Sequence, residues 1–430
     1  MLPYESLTTK ARLVLVPQYF GSLVYDRYTS QYMPFDNETT LLLKRLKSEP
    51  IDLVLSETKY EQHKTQIISF FEHFCQLGFF NFDQAFTGAI LDIIPPQNRL
   101  VGPLTLHLEI MDSCNLKCKH CFAGKLPRRE KPLTLDELGG LFASMANMGT
   151  FRLGLTGGEP LLRHDLFDII DLAIEHGLSP CLTTNGLLIT EEIAQALGKR
   201  ELVWLNVSVE GATSKTHDSI RGKGTFDKLI KRLSILSKYV NFSLAFTIMR
   251  INLKEVQACA ELADYVGAQA AVFRPLYPVG TARHYPELMP TFMEYIEALN
   301  GLSEAARNKS YEFCSVHPWG PLVRAESQSV IYENFGCGAG NTVCSVSVSG
   351  DVSPCSFLGS DYVAANVREM SLEDIWHHSH VFNAIRSLLG NDTCLNCSHY
   401  SHCGGGCRAR AFALNRSINA TDPWCTVAIN

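Results

Sequence analysis

Apolar and polar positions follow three different rhythms along this chain. Near the N-terminus the run from Leu13 to Arg27, LVLVPQYFGSLVYDR, is apolar at most positions and predicts two hairpin strands. Beyond a polar turn, a helix opening near Asp36 takes in TTLLLKRL, and a second amphipathic stretch, HKTQIISFFEHFCQLGFF, closes the region. We read residues 1–95 as a small α+β domain of two strands and about three helices, ending at the linker Pro95-Pro96-Gln97-Asn98.

Residues 100–305 alternate the two periods. Apolar strand patterns fall at 104–110, 151–156, 179–184, 202–209, 242–249 and 269–276. Helical patterns lie between and after them, at about 134–147, 164–176, 190–199, 225–239, 252–266 and 288–300. Thr134 with Glu137 three residues on is a capping-box pattern opening the first of these helices. Stacked βα units around a parallel sheet follow. Six units are too few for an eight-stranded barrel, so the expected α/β architecture is a partial (β/α)6 TIM barrel, with function in the loops after the strand C-termini. Residues 310–430 lose the periodicity and become rich in Gly, Cys and Ser. Little there predicts a conventional core, so we expect metal centres to organise this third domain.

Composition narrows the classes. Hydrophobic residues are 46% of the 430 and charged residues 19%, which allows a sizeable core and excludes bulk disorder. Net charge is −6 with no long Lys/Arg run, which argues against nucleic acid as a partner. The N-terminus lacks the apolar core of a secretory signal, and no apolar stretch approaches membrane-span length. We therefore expect a cytoplasmic protein with no membrane partner. Fifteen cysteines are then a large number, because disulfides are rare in a reducing compartment. Cys75, Cys181, Cys259 and Cys314 are scattered and read as small buried hydrophobes. The other eleven fall into a group of three and a C-terminal group of eight.

The three are Cys114, Cys118 and Cys121, a C-x3-C-x2-C run just past the first barrel strand. Three thiolates on one short loop hold three irons of a [4Fe–4S] cube and leave the fourth open. A zinc site recruiting His120 as fourth ligand is the alternative. The eight are Cys337, Cys344, Cys355, Cys394, Cys397, Cys403, Cys407 and Cys425, enough for two complete four-cysteine sites. Two structural zinc sites are again the alternative, since 394–397 is a C-x2-C pair. Gly350, five residues before Cys355, suits a hairpin turn presenting that ligand.

The C-x3-C-x2-C run resembles the defining motif of the radical S-adenosylmethionine (radical SAM) family. That resemblance implies that the open iron chelates the amino and carboxylate groups of S-adenosylmethionine. One-electron cleavage then gives a 5′-deoxyadenosyl radical that removes a hydrogen from the substrate. Gly157-Gly158-Glu159-Pro160 after the second strand resembles the segment that holds the methionine amino group. Glycines let backbone approach a ligand, and a carboxylate pairs with an ammonium. Ser208-Val209-Glu210 looks like the ribose-contacting segment, and Arg221 like the arginine that pairs with the methionine carboxylate. His120 takes the usually aromatic position beside the adenine, while Phe246–Arg250 departs from the Gly-rich adenine pattern of many members.

The C-terminal cysteines resemble, one for one, the SPASM extension of radical enzymes that mature ribosomal peptides, sulfatases and some cofactors. The resemblance implies interleaved sites, with Cys337, Cys344, Cys355 and Cys407 on one cluster and Cys394, Cys397, Cys403 and Cys425 on the other. That makes three [4Fe–4S] clusters per chain. Sulfatase maturases carry Asp after the residue matching Cys355, whereas this chain has Ser356.

Residues 1–95 resemble a winged-helix-like, PqqD-like domain that binds a leader peptide as an added strand, and its exposed edge is expected within Gly21–Tyr32. The segments Phe122–Arg129 and Phe273–Leu276 are similar to those of maturases acting on precursors with nitrile-hydratase-like or Nif11-like leaders. The implied partners are a precursor peptide with its leader, a reductase such as flavodoxin or ferredoxin, and a separate peptide-recognition protein. The implied outcome is a cross-link or excision of a backbone tyramine unit. Two other readings stay open: a radical SAM decarboxylase of tetrapyrrole-type cofactor synthesis, and an iron–sulfur scaffold or electron carrier.

Overall fold

The computed structural model describes residues 11–57, 63–80, 85–124, 131–306, 312–315, 337–388, 392–398 and 400–425. The opening ten residues, and the part of the Phe122–Arg129 segment beyond Gly124, lie outside the described residues.

The N-terminal unit holds a four-stranded sheet in the order β3-β2-β1-β4: β1 (Leu13–Gln18), β2 (Gly21–Asp26), β3 (Gln31–Asp36) and the short β4 (Ala89–Ile90). The first three form an antiparallel meander, and β4 lies parallel to β1. The unbroken apolar run of β1 has a physical reason, because both faces of this sheet are covered. Leu13, Leu15, Val24 and Phe35 pack against the unit's own helices, Asn37–Arg45, Ile51–Leu55 and Lys64–Gln76, and a cluster of Phe side chains. Val14, Val16, Leu23, Tyr25 and Tyr32 belong to the main core of the molecule. Asp36 does open the first helix, its Oδ1 accepting the Thr39 N–H at 2.7 Å.

Two expectations are corrected here. The unit has four strands rather than two, because Gln31–Asp36, with its polar alternation and Pro34, hides a strand. The outer edge is this β3, whereas β2 lies between β1 and β3 with Val24 and Tyr25 fully buried. Pro34 supplies no N–H, a usual way of blunting an edge strand.

Six strands then run parallel and in chain order: β5 (Thr105–Met111), β6 (Arg152–Gly157), β7 (Ser179–Thr184), β8 (Trp204–Val209), β9 (Ser243–Ile248) and β10 (Ala270–Pro275). Leu106, Leu108 and Ile110 of β5, like Leu153 and Leu155 of β6, face the outer helices and the core. The intervening His107 and Glu109 alternate to the other face of β5, and Cys181 of β7 lies level with His107 through Gly154. Thr134 caps the helix Leu135–Asn147 in a full capping box with Glu137. The sequence pattern gave no helix at Ser214–Arg221, which the structure places after β8.

The sheet does not stop at six. β11 (Glu312–Ser315) extends it beyond β10, and β12 (Val343–Val346), β13 (Asp351–Ser353) and β14 (Ala365–Asn366) extend it beyond β5. Among the described residues its two ends do not pair, so the barrel is open. Gly350, at φ +94°, turns the β12–β13 hairpin. The expectation that the C-terminal region lacks a conventional core is also corrected. Val346, Val352, Leu372, Ile375, Trp376 and Phe382 all join the main core, carried by strands and helices too short to show a period. Trp376 Nε1 donates to the Leu100 carbonyl at 2.9 Å, tying this region to the linker. Of the scattered cysteines Cys259 is buried as expected, but Cys75 is exposed, on the outer face of its helix.

Beyond shared packing, the N-terminal sheet is tied to the barrel by hydrogen bonds, among them those of Tyr32. Tyr32 Oη donates to the Gly149 carbonyl at 2.9 Å and accepts the Phe151 N–H at 2.8 Å, while Tyr25 stacks on Phe151 with centroids 5.0 Å apart. Tyr32→Phe strands both backbone groups in a buried interface, and we expect a loss of about 2 kcal/mol. Urea unfolding checks this. An unchanged midpoint would show that the two hydrogen bonds do not hold the interface.

Candidate functional site

The C-terminal ends of the parallel strands carry the residues with chemistry. The loop after β5 holds Cys114, Cys118 and Cys121, each half-buried, and burial raises all three thiols. The three act on one another electrostatically, Cys118 on Cys121 and Cys114 on Cys118. Three neighbouring segments pin the loop. Lys119 N–H donates to the Ile220 carbonyl at 3.1 Å, and Thr281 N–H to the Cys121 carbonyl at 2.8 Å. The third is the Gly157–Glu159 segment: Gly158 N–H donates to Met111 O at 2.7 Å and Glu159 N–H to Ser113 O at 2.8 Å. A Cβ at Gly157, where φ is +148°, would overlap the Met111 carbonyl, and one at Gly158 would overlap the Ser113 carbonyl. The two glycines thus let this segment press against the cysteine loop itself.

Glu159 is nearly fully buried, and its carboxylate is already engaged. Oε1 accepts from Thr184 Oγ1 at 2.5 Å and from Leu161 N–H at 3.1 Å, and Oε2 accepts from Asn185 N–H at 2.8 Å. Burial raises its pKa against these hydrogen bonds. The carboxylate therefore braces the loop after β6 to the end of β7. Asn185, which the sequence reading missed, closes the same corner. Its Nδ2 donates to Asn115 Oδ1 at 2.7 Å and lies 4.0 Å from Cys114 Sγ. The available signal was position alone, a polar residue just past a barrel strand.

Glu210, just past β8, is the hub of the site. It is 1% exposed, and its Oε1 meets Arg221 Nη2 at 2.7 Å and His120 Nε2 at 3.0 Å. Oε2 accepts the Thr247 N–H at 3.0 Å. Its main-chain N–H reaches His217 Nδ1 at 3.3 Å, and its carbonyl accepts from Asn252 Nδ2 at 3.1 Å. Burial works to raise this carboxylate, but His120 and Arg221 overcome it and hold the pKa down to about 2. Burial and Arg221 together hold His217 down to about 4. Arg221 Nε and His120 Nδ1 are both buried without a partner among the described residues, so two polar atoms beside the three thiols await a ligand. Ser208 is half-buried on β8, opposite Ala245 of β9.

In the C-terminal region Cys337, Cys355 and Cys407 share one apolar cluster with Tyr277 and Phe357, and Cys337 acts on both other thiols. Burial pushes the Cys355 and Cys407 thiols up to about 12. Cys394 and Cys397 act on Cys403. Cys344 sits on β12 in the main core near Arg386, and Cys425 donates its N–H to the Asp422 carbonyl at 2.8 Å. Phe357 links the two regions, stacking on Tyr277 at 4.0 Å and meeting Phe122 edge-on at 5.7 Å. Among the described residues no three His, Cys, Asp or Glu side chains converge tightly enough for a single metal ion. The thiols of a cubane ligate different irons and need no such convergence. Neutral buried thiols gathered in trios fit such a group, since binding replaces their protons with iron.

Comparison with known proteins gives the same picture. The Radical SAM superfamily profile matches residues 108–263, and an iron–sulfur cluster-binding domain profile, SPASM, matches residues 337–398. Mycofactocin maturase MftC of Mycobacterium tuberculosis is 30% identical over 333 residues, covering 76% of this chain and 83% of the maturase. The AdoMet-dependent heme synthase of Methanosarcina barkeri is 32% identical over 345 residues, covering 75% of this chain and 96% of the synthase. In fold the chain is similar to Streptococcus suis SuiB bound to its precursor peptide SuiA, with a TM-score of 0.74 at 18% identity, over 97% of this chain and 98% of SuiB.

The Glu210 hub generates a stability test. A carboxylate whose pKa is depressed from 4.5 to about 2 contributes fully above pH 4.5, and its contribution fades as pH falls toward 2. Glu210→Gln leaves Arg221 buried without its counter-charge, and we expect a loss of about 3–5 kcal/mol at pH 7. Denaturation curves across pH 2–7 should show the wild-type advantage shrinking in that acid window. A pH-independent difference would refute the ion-pair account.

Proposed function

This chain belongs to the radical SAM superfamily and is a radical S-adenosylmethionine enzyme, and on that premise we propose that it modifies a ribosomally synthesised precursor peptide. The observation that carries the chemistry is the pair of orphaned polar atoms, Arg221 Nε and His120 Nδ1, beside three thiols on the loop after β5. Cys114, Cys118 and Cys121 would hold a [4Fe–4S] cluster, which with S-adenosylmethionine supplies reductive cleavage to a 5′-deoxyadenosyl radical. Around it the chain's own residues bind and orient. Arg221 offers its free N–H to the methionine carboxylate, and the carbonyls of Gly157 and Gly158 accept from the amino group. Ser208 faces the ribose, and His120 lies beside the adenine. Glu210 acts as the positioning group for Arg221 and His120, with Glu159 fixing the loop from behind.

The two further trios, completed by Cys344 and Cys425, would hold two more [4Fe–4S] clusters, with Cys337, Cys344, Cys355 and Cys407 on one and Cys394, Cys397, Cys403 and Cys425 on the other. Complete ligation suits electron transfer rather than substrate binding. The peptide reading draws on the maturase relative and on the likeness to SuiB, whose coverage takes in the N-terminal unit. That unit would take the leader at the free edge of β3, Gln31–Asp36, by backbone hydrogen bonds. The heme synthase relative supports a second reading, maturation of a tetrapyrrole.

Co-expression with precursor peptides encoded nearby separates the two. A mass change in a peptide, lost when residues 1–95 are deleted, is the expected result. Unmodified peptides alongside decarboxylation of a tetrapyrrole would favour the second reading. Anaerobically reconstituted enzyme should contain about twelve irons per chain, and four irons or stoichiometric zinc would remove the C-terminal assignment. Cys118→Ala should form no 5′-deoxyadenosine. Formation at the wild-type rate would refute the ligand set.

A further inference from the structure

The C-terminal region buries a second charged pair that the proposed reaction does not use. Arg410 and Asp422 are 0% and 1% exposed and form a two-point ion pair, Nε to Oδ1 at 2.6 Å and Nη2 to Oδ2 at 2.6 Å. Trp424 covers the guanidinium with its ring 4.0 Å from Cζ, and its main-chain N–H donates to Asp422 Oδ1 at 3.0 Å.

The pair is built onto two cysteines. Asp422 Oδ2 accepts the Cys407 N–H at 2.6 Å, and its main-chain carbonyl accepts the Cys425 N–H. The Arg410 N–H donates to Cys407 Sγ at 3.5 Å. Gly406, at φ +75°, permits this approach, since a Cβ there would lie 2.5 Å from Asp422 Oδ2. One guanidinium nitrogen, Nη1, is buried without a partner among the described residues. A fully buried N–H with no acceptor is costly, and sulfur of an adjacent cluster is the kind of acceptor it lacks.

We propose that Arg410, clamped by Asp422, is a positioning residue that sets the reduction potential of the cluster ligated by Cys407. This rests on the ligand assignment above. Reduction adds one negative charge to an iron–sulfur cluster, and potential follows net charge and hydrogen bonds to sulfur. A cation held out of water next to a ligating sulfur favours the reduced state more strongly than an exposed one would. The carboxylate moderates the effect and holds both cysteine segments at fixed distance from the guanidinium.

The test is a redox titration followed by low-temperature electron paramagnetic resonance on anaerobically reconstituted holoenzyme, with iron content measured in parallel. The signal lost in Cys355→Ala identifies the cluster concerned. Arg410→Gln should lower its midpoint by at least the ~59 mV that corresponds to a tenfold change for one electron. Asp422→Asn, which leaves the cation uncompensated, should raise it. Opposite shifts cannot come from loosened packing, which moves both variants alike. Unshifted midpoints, or shifts of the same sign, overturn the proposal. If Arg410→Gln fails to assemble, Asp422→Asn decides by the sign of its shift. If both lose the cluster, the pair is a folding clasp and the tuning role is overturned. Cys355→Ala retaining every signal would remove the ligand assignment and this proposal with it.

Discussion

A carboxylate 1% exposed to water is tolerated only if charge and hydrogen bonds replace its hydration, and at Glu210 they come from three separate parts of the chain. Arg221 arrives from the end of the helix Ser214–Arg221, His120 from the cysteine loop and Thr247 from β9, while Asn252, from the turn beyond, holds the Glu210 main-chain carbonyl. Each partner is costly to leave unpaired, so each segment is held where the carboxylate is. The position of the loop carrying Cys114, Cys118 and Cys121 relative to β8 follows from that. Glu159 repeats the device on the other side of the loop, fixing β6 to β7 through Thr184 and Asn185. Acidic groups at two strand ends thus frame the cysteine loop before any cofactor binds.

The opposite end of the molecule is governed by packing. The N-terminal sheet gives Leu13 and Leu15 to its own helices and Val14 and Val16 to the barrel. A sheet covered on both faces has little freedom to swing, and Tyr32 adds hydrogen bonds that specify its register against Gly149 and Phe151. The sheet's edges are β3 and the two-residue β4, and the longer of them is β3. A peptide held there would be fixed relative to the barrel because the sheet itself is.

These two regimes explain what the chain's pattern disclosed. The parallel strands were legible because apolar residues recur along each of them, and their helices because amphipathic spacing persists for two turns or more. The capping box at Thr134 and the hairpin at Gly350 were legible from local chemistry alone. Short elements were not: β3 has a proline, and the helix Ser214–Arg221 is mostly polar outside its buried face. The C-terminal core was hidden for the same reason, since Trp376 and Phe382 come from two helices of seven residues each. At the site, motifs indicated which residues matter but not which atoms are free. Glu159 and Glu210 read as ligand contacts, yet both carboxylates are engaged by the protein. That distinction depends on partners tens of residues away, which no local pattern encodes.

The C-terminal core also changes what the cysteines there have to do. A region with no core of its own would depend on metal for folding, as small zinc modules do. Here β12 pairs with β5 and Trp376 anchors to Leu100, so much of the framework stands on packing shared with the barrel. Burial raises the thiols of Cys355 and Cys407, which sit on that shared framework. Iron binding must expel their protons, which makes assembly favour higher pH. A frame supported by packing lowers the ordering entropy that binding would otherwise have to overcome. The division of labour follows: shared apolar packing sets the two cysteine regions in place, and the buried ion pairs of Glu210 and Arg410 hold the segments that carry cysteines within each.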